Sequence, residues 1–127
     1  RPNDAGAVAL AFLALPGCAT LQRIESAVSI ATGPNVTPQQ VYVAINAFDA
    51  AEVLATNYLR LPRCPQAVAC RDPIVSKQVI TWVRAGRIDR NKLKAGLRAA
   101  PEQNISLVTV YNDLQGLISQ IKLQLGN

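Results

Sequence analysis

Residues 37 to 62 read TPQQVYVAINAFDAAEVLATNYLRLP, and this stretch decides the fold. Thr37 is suited to cap a helix, Pro38 fits the first helical turn, and Gln40 follows the cap by three residues as in a capping box. The spacing predicts a helix from Pro38 to about Leu61, ahead of Pro62. At about 100° per residue, Val41, Ala44, Ile45, Phe48, Ala51, Ala55 and Leu59 share one face, and Val43, Ala47, Leu54 and Leu61 widen it. Asn46, Asp49, Thr56, Asn57 and Arg60 leave only a narrow polar strip. An apolar face that broad belongs to the central helix of a bundle.

Working outward, TLQRIESAVSIATGP carries Leu21, Ile24, Val28 and Ala31 at spacings of three and four before Gly33-Pro34, which predicts a short helix over 20–32. Asp72-Pro73 opens a helix over 73–99, in which Val75, Val79, Trp82, Val83, Gly86, Leu93 and Leu97 stay in phase. The stretch AGRIDR leaves open a break at Gly86 with Asp89 capping a new helix. The last helix is expected over 105–125, with a seam at 107, 111, 114, 118, 121 and 125 that alternates four and three like a heptad. Nothing reads as strand, repeat or low-complexity tract. The expectation is an all-α, single-domain bundle of four main helices (20–32, 38–61, 73–99 and 105–125), preceded by an apolar segment over 4–15.

That first segment runs from Ala5 to Leu15 without a polar side chain, behind a single charged Arg1 and Asp4, and ends in Leu15-Pro16-Gly17-Cys18. As a helix it would measure about 16 Å, roughly half the hydrocarbon thickness of a bilayer, so it is too short to span one. Leu15, Gly17 and Cys18 resemble the lipobox of bacterial lipoprotein precursors, in which a Leu, a small residue and a Cys direct lipidation of that Cys and cleavage before it. The resemblance implies a signal-like segment over 1–17, a mature helical domain over 18–127, and a lipid on Cys18. Ala19 after the Cys resembles lipoproteins sent to the outer membrane. More loosely, the chain resembles small helical lipoproteins of proteobacteria and their prophages. The competing reading makes Asp4 to Leu15 a first core helix, capped by Asn3 or Asp4 and stopped by Pro16-Gly17. The sequence has no Met, from which its first residue is expected not to be the gene's own.

With Cys18 lipidated, Cys64 and Cys70 remain as a pair in RCPQAVACRD, a loop rich in turn residues between two helices. A disulfide between them would close a small loop, contribute about 2 kcal/mol by chain entropy, and require an oxidising compartment such as the periplasm. Free thiols in a reducing compartment are the alternative. Two thiolates this close, with no histidine anywhere in the chain, do not make a metal site.

The net charge is +5, from 13 Lys+Arg against 8 Asp+Glu. In RAGRIDRNKLKAGLR, Arg84, Arg87, Lys94 and Arg98 fall together, opposite Val79, Val83, Leu93 and Leu97, and form a candidate basic interaction face; a plain solvated face fits the same pattern. Without interleaved aromatic residues or a recognition-helix signature, nucleic acid is disfavoured. Trp82 lies in the apolar stripe and reads as core. No histidine stands ready to activate Ser26, Ser29, Ser76, Ser106 or Ser119, no glycine-rich loop cradles phosphate, and the acids are dispersed. Glu52 lies close to the apolar face of its helix, where pairing with an Arg or reaching solvent at the edge accounts for it better than catalysis. Catalytic residues, cofactors and metals are therefore not expected.

The sequence thus points to a non-enzymatic, lipid-anchored protein of the bacterial cell envelope, on the periplasmic side and at the outer membrane. Its partner is expected to be an envelope protein or an anionic polymer. The second reading is a soluble cytoplasmic or virion-associated structural protein, with 4–15 in the core and a homo-oligomer formed through the heptad-like last helix. A nucleic-acid binder is the third.

Overall fold

The computed structural model describes Ala31 and residues 33–126. They form three α-helices: α1 (Pro38–Leu59), α2 (Pro73–Ala99) and α3 (Val108–Leu125). Each helix packs on the other two, and among the described residues the only β pairing is two isolated bridges, Val36 with Ile105 and Arg63 with Arg71. The all-α class is as expected. Three helices stand where four were expected, because 20–32 lies outside the described residues except for Ala31; 4–15 lies wholly outside them, as does Cys18.

Helix α1 starts with the capping box read from the sequence: Gln40 N donates to Thr37 Oγ1 at 3.1 Å and Thr37 N donates to Gln40 Oε1 at 2.8 Å. It ends two residues before Leu61. Pro62 disfavours helical backbone at the residue before it, and Leu61 instead donates to Tyr58 O in a tight turn while its own carbonyl accepts from Arg71 Nε at 2.8 Å. The expected face is buried at Val41, Ala44, Ile45, Phe48, Ala51 and Ala55, together with Ala47 and Ala50. Val43, expected to widen that face, is exposed. The alanines keep the face thin, and Phe48 supplies its bulk.

Helix α2 opens where Asp72 Oδ1 accepts from Ile74 N and Val75 N. It runs unbroken through Gly86, so Asp89 lies mid-helix and caps nothing. The glycine has a packing role: a Cβ built on Gly86 would overlap the Phe48 ring of α1. Trp82 packs partly buried against the core, as read.

Helix α3 begins at Val108, three residues later than expected. Ile105 is held outside it, because its N–H and carbonyl both bond the backbone of Val36, at 2.8 and 2.9 Å. Extended pairing thus satisfies the groups a longer helix would have used. Along the heptad-like seam, Tyr111, Leu114, Ile118 and Ile121 are buried inside the bundle, and Leu107 and Leu125 are partly buried.

Candidate interaction surface

Three places on the bundle carry chemistry: the outer face of α2, the loop closed by Cys64 and Cys70, and a groove between α2 and α3. The α2 face carries the most charge. Of its fifteen exposed residues six are basic (Lys77, Arg84, Arg87, Lys92, Lys94 and Arg98) and none is acidic. Arg84, Arg87, Lys94 and Arg98 are all exposed, and Val79, Val83, Leu93 and Leu97 are buried on the inward side. Ile74, Ile80 and Ile88 also stand on the outer face, 70%, 37% and 58% exposed. Sequence reasoning missed these isoleucines and extended the basic set neither to Lys77 nor to Lys92. The available signal was their place on the sector away from Val79 and Leu93.

One edge of this face is tied down by α1. Glu52 accepts from Arg87 Nε at 2.6 Å and from Arg90 Nη1 at 2.9 Å, and Asp49 lies 3.6 Å from Arg90 Nη1. The Arg90 guanidinium also sits 5.6 Å from the centroid of the Phe48 ring. Glu52 is thus the partner of two arginines, the outcome the sequence favoured over catalysis. Lys77, Arg84, Lys94 and Arg98 have no ion-pair partner among the described residues.

The loop between α1 and α2 is closed by a Cys64–Cys70 disulfide, with an S–S distance of 1.98 Å and a Cα–Cα distance of 4.9 Å. The Cys64-Pro65 peptide is cis. Around it, Arg71 N donates to Pro62 O at 2.8 Å, Cys64 N to Arg71 O at 3.2 Å, and Asp72 N to Tyr58 Oη at 2.7 Å. These bonds join the end of α1 to the start of α2. Because the bridge closes only a short loop, its removal in Cys64→Ser/Cys70→Ser is expected to cost about 2 kcal/mol. Denaturant unfolding of that variant, and of reduced wild type, should show the same loss. An unchanged midpoint in both would refute a stabilising role.

Between α2 and α3 runs an open groove of about 510 Å³, lined by Ala85, Ile88, Asp89, Asp113, Gly116 and Leu117 among others. At its margin the Asn112 side chain holds the backbone of Ala31, accepting from its N–H at 2.9 Å and donating to its carbonyl at 3.1 Å. Burial raises the Asp89 carboxyl above its ordinary value of 3.8, the Asp113 carboxylate raises it further, and Lys92 opposes both. A raised carboxylate favours folding while it is protonated, and this contribution disappears as pH climbs through the raised value. Asp89→Asn is therefore expected to raise the melting temperature near neutral pH and to leave it unchanged well below the ordinary carboxylate range. Equal gains at both pH values would show that charge is not the cause.

Among the described residues no group of three His, Cys, Asp or Glu side chains could hold a metal ion, and no helix is long and apolar enough to cross a membrane. No protein-family model matches the chain, and neither a curated protein nor a solved structure matches it.

Proposed function

We propose that this protein is a lipid-anchored interaction protein of the bacterial cell envelope, tethered through Cys18 and working by presenting the α2 face to a partner, without catalysis. The observation that carries the reading is the Cys64–Cys70 bridge. A disulfide of this kind belongs to an oxidising compartment, and the lipobox-like Leu15-Pro16-Gly17-Cys18 supplies a route to one. The finer architecture, with 20–32 as a further helix of the mature domain, is part of the same proposal. The basic surface favours an envelope partner bearing negative charge, a polymer or an acidic protein surface, and the residue after Cys18, Ala19, favours the outer membrane as the site of the anchor. The soluble structural reading needs the last helix for assembly, but its seam of Tyr111, Leu114, Ile118 and Ile121 is already buried within the bundle.

Mass spectrometry of the protein from its native host, without reduction, tests the reading. The expected product begins at lipid-modified Cys18 and carries Cys64 joined to Cys70. A product that retains residues 1 to 17 with unmodified Cys18 overturns it in favour of the soluble structural protein.

A further inference from the structure

We infer that the outer face of α2 is a second membrane contact, a surface that lies on an anionic phospholipid bilayer. The inference rests on the envelope reading for its compartment and assigns the α2 face to anionic lipid in place of a polymer or an acidic protein surface.

The charge pattern carries the first step. Six cations and no acid are exposed along one helix of 27 residues, which makes a face about 40 Å long at about 1.5 Å per residue. Asp49 and Glu52 meet Arg87 and Arg90 at one edge. Lys77, Arg84, Lys94 and Arg98 keep their charge turned outward with no ion-pair partner among the described residues. Asp89 and Asp113 line the groove along the opposite edge, beside Ile88, and between the two edges the exposed charge is positive. Such a surface is complementary to an extended anionic one, and each Lys or Arg near an anionic leaflet strengthens binding about fivefold.

The apolar pattern chooses among anions. Ile74, Thr81 and Ile88 recur every seven residues and so form one line along the helix; Lys77 and Arg84 form the adjacent line about 50° round it at about 100° per residue, and Ile80 lies on the far side of that second line. All three isoleucines are exposed on the cationic face. Single-stranded nucleic acid would be held by charge with aromatic side chains to stack on, and Trp82 packs against the core; a duplex would be held by the cations alone and would leave the exposed isoleucines without a partner. Aliphatic side chains set among cations instead match the headgroup region, where the isoleucines enter the acyl boundary and the Lys and Arg stems reach back to phosphate. The inward side of α2 is already buried against α1 and α3, so the helix lies flat on the bilayer with the bundle above it.

The test uses the full chain with Cys18→Ser, which cannot carry lipid, and sedimentation with phosphatidylcholine vesicles with and without phosphatidylglycerol. Residues 1 to 17 are common to every variant, so differences between variants report on α2. Binding is expected to require phosphatidylglycerol, to fall about a hundredfold in Arg84→Gln/Lys94→Gln/Arg98→Gln, and to fall about tenfold in Ile74→Ser/Ile88→Ser with its salt dependence unchanged. Circular dichroism should confirm that both variants keep the wild-type helix content, since every substituted residue is exposed. Binding that does not distinguish charged from neutral vesicles overturns the inference. So does an isoleucine variant that binds like wild type, or tighter binding to duplex DNA than to the anionic vesicles at about 0.15 M salt. The mass-spectrometric result on Cys18 stands apart from these outcomes: a lipidated Cys18 with no vesicle binding by Cys18→Ser leaves the envelope reading intact and ends this one.

Discussion

Phe48→Ala is expected to lower the unfolding free energy by about 3–5 kcal/mol, the cost of deleting a fully buried aromatic ring from a close-packed core. The ring is wholly buried, it faces Gly86 of α2, and it underlies the Arg90 guanidinium. None of these neighbours can fill the space it leaves, because Gly86 has no side chain and Arg90 is held by Glu52. The reciprocal change is also unfavourable. Gly86→Ala gains about 1 kcal/mol of helix propensity, but its methyl group would overlap the Phe48 ring, and forcing the helices apart costs about 1–3 kcal/mol. In the double variant Phe48→Ala/Gly86→Ala the methyl group enters space the ring has vacated, so the combined loss should be smaller than the sum of the two. Urea unfolding of the three variants measures all of this. A loss under about 1 kcal/mol for Phe48→Ala, or strict additivity, would mean that the ring and the glycine do not set the α1–α2 distance.

The second large effect is expected at Glu52. Its side chain is 18% exposed and that of Arg90 19%, whereas Arg87 is 55% exposed. Removing one member of a buried pair leaves the other charged group without compensation, at about 3–5 kcal/mol when burial is complete. Here water reaches both groups, so Glu52→Ala should cost about 2–3 kcal/mol. Arg90 Nε is already buried without a hydrogen-bond partner, and only the more exposed Asp49, 3.6 Å from Arg90 Nη1, would remain to offset the loss. Arg87→Ala should cost no more than about 1 kcal/mol, as for other solvent-exposed pairs. Thermal unfolding at low and high salt separates the two. A Glu52→Ala variant as stable as wild type would show that the cluster does not hold α2 against α1, and that the basic face is not oriented by it.

The α1 and α2 boundaries show how far local chemistry reaches. Thr37, Pro38 and Gln40, and likewise Asp72-Pro73, are start signals that act within a single turn, so they are legible without knowledge of the rest of the chain. The buried faces of α1 and α2 were equally legible, because a helix repeats every 3.6 residues wherever it is placed. The closeness of Cys64 and Cys70 in the chain made their pairing an expectation from sequence. Cys18 and the segment before it belong to sequence reasoning alone.

Tertiary structure decided what depends on residues far apart in the chain. The sequence already favoured one helix over 73–99 and left a break at Gly86 open; what it did not show is why a glycine stands there, which is that Phe48, thirty-eight residues earlier, occupies the space a side chain would need. The start of α3 moved from 105 to Val108 because Ile105 pairs with Val36. The basic face was read from sequence as four residues; Lys77, Lys92 and the isoleucines sit on the same outward sector and were legible from the same periodicity, but how far each is exposed was fixed by the packing of α1 and α3 on the opposite side of α2. Helix periodicity and capping are properties of neighbouring residues and are written in sequence, and with them the inward faces of α1 and α2; which arginines Glu52 holds follows from the docking of one helix on another.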